Sequence, residues 1–144
     1  MSRHDRQLIA KRLKDAGLKL THQRLAIYEA VASATNHPSA EDIYGAVQHG
    51  FPMLSLNTVY TTLDTFKELG LIKEMRFLHN AARYDANTDP HHHAICLSCR
   101  KIEDFDDRAL DQLRPPPAIQ RSYRLVSHSV EFYGVCRTCQ RQGH

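Results

Sequence analysis

The sequence predicts an α+β fold in which helices fill the first half of the chain and strands dominate the second. Three observations carry this: apolar residues recur at helical spacing up to Gly70, they alternate in strand fashion after it, and two Cys-x-x-Cys pairs punctuate the second half. With 144 residues, 42% hydrophobic and 24% charged, the chain holds one compact domain or two small ones, and it is neither disordered nor collagen-like. No apolar run reaches membrane-spanning length, and the polar start from Met1 to Gln7 does not read as a signal peptide. A cytoplasmic protein without membrane association is therefore expected.

Leu8, Ile9, Arg12, Leu13 and Ala16 form a first helical stripe, which Gly17 stops. Thr21 caps a second helix that turns Leu25, Ile27, Tyr28, Val31 and Ala32 inward. After the Asn36-His37-Pro38 break, Ser39 caps a third helix through Ile43, Tyr44 and Val47, with Asp42 at the capping-box position. Gly50-Phe51-Pro52 ends it. Ser55 opens a fourth helix over 55–69, with Leu56, Val59, Leu63, Phe66 and Leu69 on one side and Gly70 closing it. Two strands, 71–77 and 82–85, then flank a polar tip at His79-Asn80 and predict a β-hairpin. Short helices followed by such a hairpin describe a winged helix-turn-helix, whose fourth helix enters the DNA major groove.

Residues 86–90 read as a hinge between a winged-helix domain, 1–85, and a small α/β dimerisation domain, 91–144. In the latter the pattern predicts strands at 93–96 and 101–106, a helix at 107–113 ended by Pro115-Pro116-Pro117, and a long strand at 124–133. A module of this size buries little surface and needs a staple.

The formal net charge of +3 is too mild to demand a polyanionic partner. Residues 1–24 nevertheless carry Arg3, Arg6, Lys11, Arg12, Lys14, Lys19 and Arg24 against only Asp5 and Asp15. On charge alone, a phosphate-contacting surface and a solvated helix face fit this segment equally well.

Four Cys and ten His are the unusual part of the composition. Cys96-Leu97-Ser98-Cys99 and Cys136-Arg137-Thr138-Cys139 form two knuckles separated by 36 residues. Two intervening residues let both thiolates of a turn face one ion, and two such turns complete a tetrahedral Zn²⁺ shell. Four sulfurs leave no open coordination position, so this zinc is structural. A redox Cys-x-x-Cys would need a thioredoxin-like βαβ context, which the pattern lacks.

His91-His92-His93 stands just before the first knuckle. On an extended chain, His91 and His93 share one face and His92 takes the other. Asp85, Asp104 and the isolated His37 supply further nitrogen and oxygen donors, a mixture that suits Fe²⁺, Mn²⁺ or Zn²⁺. Spacing alone leaves a second metal site and a solvated His-rich loop both open. His128, on the side of Val126, Val130 and Phe132, is expected to be a satisfied core histidine.

Several stretches together resemble the ferric uptake regulator (Fur) superfamily, and within it the peroxide-responsive repressors. They are Leu20-Thr21-His22-Gln23-Arg24, Asn36-His37-Pro38, Thr58-Val59-Tyr60 with Leu63, Arg83-Tyr84-Asp85, and His91-His92-His93-Ala94-Ile95-Cys96. The match continues through Cys99, Lys101-Ile102-Glu103-Asp104-Phe105 and Tyr133-Gly134-Val135-Cys136 to Cys139. The resemblance implies a homodimeric, metal-dependent repressor that binds a palindromic double-stranded DNA operator and is not an enzyme. It places structural Zn²⁺ on Cys96, Cys99, Cys136 and Cys139. It places a regulatory Fe²⁺ or Mn²⁺ on His37, Asp85, His91, His93 and Asp104. Aspartate rather than glutamate at 85 and 104 favours the peroxide-sensing branch, in which a histidine ligand, here His37 or His91, is oxidised. An iron-, zinc- or haem-responsive regulator is the alternative within the family, and a non-haem iron enzyme the alternative outside it. A further metal site found in some members is incomplete, because Pro90 and His92 stand where it needs His and Asp.

For DNA, helix 55–69 offers Asn57, Thr58, Tyr60, Thr61 and Thr65 to phosphates, base edges or thymine methyl groups. Lys14, Lys19, His22 and Arg24 are the phosphate-contact candidates. Asp64 on the same surface is unexpected, because a carboxylate repels phosphate.

Overall fold

Polar caps decide where the helices of the first half begin. The computed structural model describes residues 3–77 and 81–143 and divides into two units, Met1–Thr88 and Asp89–His144. In the first unit, α1 (Arg3–Asp15) and α2 (His22–Ser33) are followed by α3 (Ala40–Val47) and α4 (Leu56–Glu68). The Thr21 side chain accepts from the Arg24 amide at 3.2 Å, and that of Ser55 from the Thr58 amide at 3.1 Å. Ser39 and Asp42 form the full capping box, with bonds of 3.1 and 3.0 Å. Gly70, at φ +72, supplies the left-handed turn that ends α4, and Leu71 then donates back to the Phe66 carbonyl at 2.9 Å.

The helices close on a core that includes Leu13, Ile27, Tyr28, Val31, Ile43, Val59, Leu63 and Phe66. Tyr28 and Phe66 meet edge to face at 5.6 Å. Three residues expected inside, Leu8, Ala32 and Leu69, are exposed instead, because they lie at the margins of their stripes.

A two-stranded wing follows, β1 (Lys73–Met75) pairing antiparallel with β2 (Arg83–Asp85), Glu74 opposite Tyr84. Both strands are shorter than expected. Leu71, Ile72, Phe77 and Ala82 are buried at their ends rather than part of the ladder. The expected tip, His79-Asn80, lies outside the described residues.

In the second unit, β3 (His92–Cys96) is the central strand of a three-stranded sheet. Antiparallel β4 (Ile102–Phe105) lies on one side and parallel β5 (Glu131–Gly134) on the other. The helix expected over 107–113 shrinks to α5 (Arg108–Asp111), capped by Asp107. The proline run also starts a helix, α6 (Pro117–Ser122), since Pro117 at the first position loses no hydrogen bond there. A short α7 (Arg137–Arg141) grows from the second knuckle.

The strand expected over 124–133 enters the sheet only at Glu131. The residues before it expose Leu125 and Val126, which no layer covers among the described residues. His128 is likewise not a core histidine: it is exposed, with Nε2 2.7 Å from the Leu110 carbonyl. No helix among the described residues is long and apolar enough to cross a membrane.

Candidate metal centres

One end of β3 and the start of α7 bring the four cysteines together. One sulfur from each lies within 4.8 Å of all the others. Cys99 and Cys136 sulfurs are 3.8 Å apart, which is about the edge of a tetrahedron of sulfurs 2.3 Å from a central zinc. All four are free thiols rather than disulfides. The amides of Cys136 and Cys99 point at the Cys96 sulfur, at 3.3 and 3.5 Å. Those bonds stabilise the thiolate and hold the Cys96 pKa down to about 6. Cys139 is pushed up to about 12. Its hydrogen bond with Ser98 pulls the other way, but burial and the neighbouring sulfurs outweigh it. The first knuckle turns tightly enough to put Arg100 at φ +67, a left-handed conformation that few non-glycine residues adopt. This donor set fits a closed, structural Zn²⁺ site.

The opposite end of β3 holds a second cluster. His91 and His93 are both buried, with their Nε2 atoms 3.1 Å apart. Asp104, paired across the ladder with His93, brings its carboxylate oxygens to 3.4 Å from each Nε2. The His91 Nδ1 lies 2.7 Å from the Asp89 carbonyl, which can only accept, so Nδ1 carries the proton and Nε2 presents its lone pair. Two imidazoles and a carboxylate at these separations fit a borderline or hard divalent ion. His92, as expected, takes the other face, but it is the most deeply buried of the three. The Val130 amide donates to its Nδ1 at 3.0 Å, so its Nε2–H faces Asp111 at 2.7 Å. Its ring nitrogens are thus committed within the protein.

The first unit contributes its own pair. His37 Nε2 and an Asp85 oxygen stand 3.1 Å apart, and His37 is buried. The turn that presents His37 is unusual, with φ +27 on a non-glycine residue. Strand β2 holds it: Arg83 donates to the Asn36 carbonyl at 2.8 Å and also to the His37 carbonyl, and the Tyr84 amide donates to Pro38 at 2.9 Å. Arg83 is thus a positioning residue, a role that quoting the Arg83-Tyr84-Asp85 motif did not give it. Its partners lie 46 and 47 residues away, so spacing gave no signal.

On α4, Asn57, Tyr60, Thr61 and Asp64 are exposed and share one face, while Thr58 and Thr65 are half-buried. Asp64 is 3.8 Å from Lys67, which is also 2.9 Å from Glu74, so a lysine offsets part of the carboxylate charge. Lys14, Lys19 and His22 are exposed. Arg24 is half-buried and donates to the Lys19 carbonyl at 2.7 Å, which gives it a role in shaping the turn before α2.

The chain matches the model of the ferric uptake regulator family over residues 15–133. The peroxide operon regulator of Bacillus subtilis is 38% identical over 142 residues, spanning 99% of this chain and 98% of that protein. The ferric uptake regulator of Helicobacter pylori, whose structure is described as having three functional metal-binding sites, superposes with a TM-score of 0.79. It is 25% identical and covers 94% of this chain and 93% of its own. The Campylobacter jejuni peroxide stress regulator superposes with a TM-score of 0.67 at 29% identity, over 96% of this chain and 100% of that one.

Proposed function

The chain belongs to the ferric uptake regulator family, and from that premise we propose that it is a homodimeric, metal-dependent transcriptional repressor that senses peroxide. The observation that carries this is the division of labour along β3: a closed four-cysteine set at one end and a nitrogen–oxygen set at the other. The first suits a constant structural zinc and the second an exchangeable Fe²⁺ or Mn²⁺.

The second unit offers three regulatory donors, His91, His93 and Asp104, and the first unit two, His37 and Asp85. One ion held by all five would favour a single arrangement of the two units, and that differential binding gives a metal its leverage over DNA affinity. In a dimer, that arrangement sets the spacing of the two α4 helices, about 34 Å for half-sites one helical turn apart. The exposed apolar residues Leu113, Leu125, Val126 and Phe132 of the second unit supply surface for the dimer contact. Asn57, Thr58, Tyr60 and Thr61 of α4 face the bases, and Lys14, Lys19, His22 and Arg24 the phosphates.

Bound Fe²⁺ would supply reductive cleavage of the peroxide O–O bond beside the ligand rings, with both electrons drawn in net from the oxidised ring. The residues that respond are His37 or His91. One peroxide oxygen converts a ring C–H to C–OH, the other leaves as water, and the oxidised ring is no longer the same donor. Losing one donor of five releases the clamp and derepresses the target genes. The family's regulators set the class: a DNA-binding switch rather than a catalyst.

The test is binding to a selected duplex at fixed salt with Mn²⁺, with Fe²⁺, and with each after H₂O₂. Tight binding with either ion, lost after peroxide only in the Fe²⁺ sample, is expected. Mass spectrometry should find one added oxygen on His37 or His91. Equal affinity with metal and after chelation would overturn the clamp. Metal-dependent binding with no oxygen added would instead identify an iron-, zinc- or haem-responsive regulator.

A further inference from the structure

The helix-turn-helix contains one side-chain bond that crosses between its two helices. The Tyr60 hydroxyl, at the centre of the exposed α4 face, donates to a carboxylate oxygen of Glu41 at 2.8 Å. Glu41 stands in the first turn of α3, two residues after the Ser39 cap, and the capping box fixes that turn. Tyr60 is 37% exposed, so the side chain is open to a ligand over part of its surface.

A tyrosine hydroxyl has one proton and two lone pairs. Phosphate oxygens only accept hydrogen bonds, so a tyrosine contacts phosphate by donating that proton. Here the proton is committed to Glu41, and the hydrogen bond raises the Tyr60 pKa, which keeps the hydroxyl protonated. Tyr60 is left with an acceptor and a ring edge. In the major groove, the amino groups of adenine and cytosine donate, and the thymine methyl group takes apolar contact. The Glu41 carboxylate meanwhile repels the phosphate backbone beside it.

We propose that Glu41 is a specificity-determining positioning residue: by taking the Tyr60 proton and opposing phosphate, it turns Tyr60 from a backbone contact into a base-reading one. This rests on the DNA-binding function proposed above. The sequence alone offered Tyr60 to phosphates or bases; the bond to Glu41 supplies the reason it reads bases.

The experiment selects bound sequences from a random duplex library with the full-length, metal-loaded protein. It then measures affinity for the selected and for a scrambled duplex across a salt series, for wild type, E41Q, E41A and Y60F. In E41Q the amide oxygen still accepts the Tyr60 proton, so the selected sequence and the preference ratio should stay as in wild type. Scrambled-duplex binding should tighten, because a negative charge is gone. In E41A the proton is free for phosphate. Scrambled-duplex binding should tighten while the preference ratio falls about tenfold, the scale of one lost base contact. Y60F should lose the same ratio without the tightening, because Glu41 remains. A purely structural role for Glu41 predicts parallel losses on both duplexes. E41A or Y60F with the wild-type sequence preference would overturn the proposal. A wild type that prefers no sequence would overturn the DNA-reading function on which it rests.

Discussion

Removing zinc from Cys96, Cys99, Cys136 and Cys139 should unfold the second unit and leave the first folded. The buried aliphatic side chains of the second unit are, among the described residues, Ile95 and Ile102. Full burial of each contributes about 1.5–3 kcal/mol, whereas a structural zinc held by such a set contributes about 10–16 kcal/mol. The metal therefore outweighs the apolar core of that unit. The first unit buries Leu13, Ile27, Val31, Ile43, Val59, Leu63 and Phe66 and needs no staple. The assay is hydrogen exchange resolved by segment, on protein stripped with a chelator under strong reducing conditions so that no disulfide can replace the metal. Backbone amides of β3 and β5 should lose protection by several orders of magnitude, while those of α2 and α4 keep theirs. A zinc-free, fully reduced chain in which β3 stays protected would refute the reasoning.

Three further outcomes are expected. Each thiol must lose its proton to bind, so zinc uptake by the stripped chain should weaken as pH falls below the ordinary thiol value of 9.0. Phe66→Ala should lower the stability of the first unit by about 3–5 kcal/mol in urea titration, against about 1 kcal/mol for removal of the Ser55 cap, because one opens a cavity and the other frees a single amide. Lys14→Ala should reduce the salt slope of DNA binding by about 0.9 if it neutralises one phosphate, measured on selected and scrambled duplexes alike.

The features legible in the sequence are those whose causes are local. Thr21, Ser39 with Asp42, and Ser55 mark helix starts because a cap acts on an amide three residues away. The Cys-x-x-Cys pairs are legible for the same reason. What escaped depends on distant partners. Pro117 ends nothing by itself; it begins α6 because its missing amide has no partner to lose there. The alternation at Val126, His128, Val130 and Phe132 predicted an inward His128, but inwardness requires a layer that the described residues do not supply. His92 was assigned correctly to the face away from His91 and His93, yet its deep burial follows from Val130 and Asp111, 38 and 19 residues away. His37 stood out in the sequence through its Asn36-His37-Pro38 break. The device that presents it, Arg83 bonded to two carbonyls of the turn, did not.

The two metal sets have different dependence on each other. Strand β3 carries Cys96 at one end and His93 near the other, and three intervening rises of about 3.3 Å separate them. His93 faces Asp104 only while β3 and β4 keep their register, and the parallel pairing with β5 runs from His93 to Cys96. Zinc in the four-cysteine set would join the ends of β3 and α7 and fix both pairings from the cysteine end. Loss of zinc therefore removes the alignment on which the histidine–aspartate set depends. Loss of one regulatory donor leaves the ladder bonds and all four thiols intact. The dependence runs one way, and that is the arrangement the proposed peroxide response requires: a ligand ring could be oxidised while the frame that carries it stays folded.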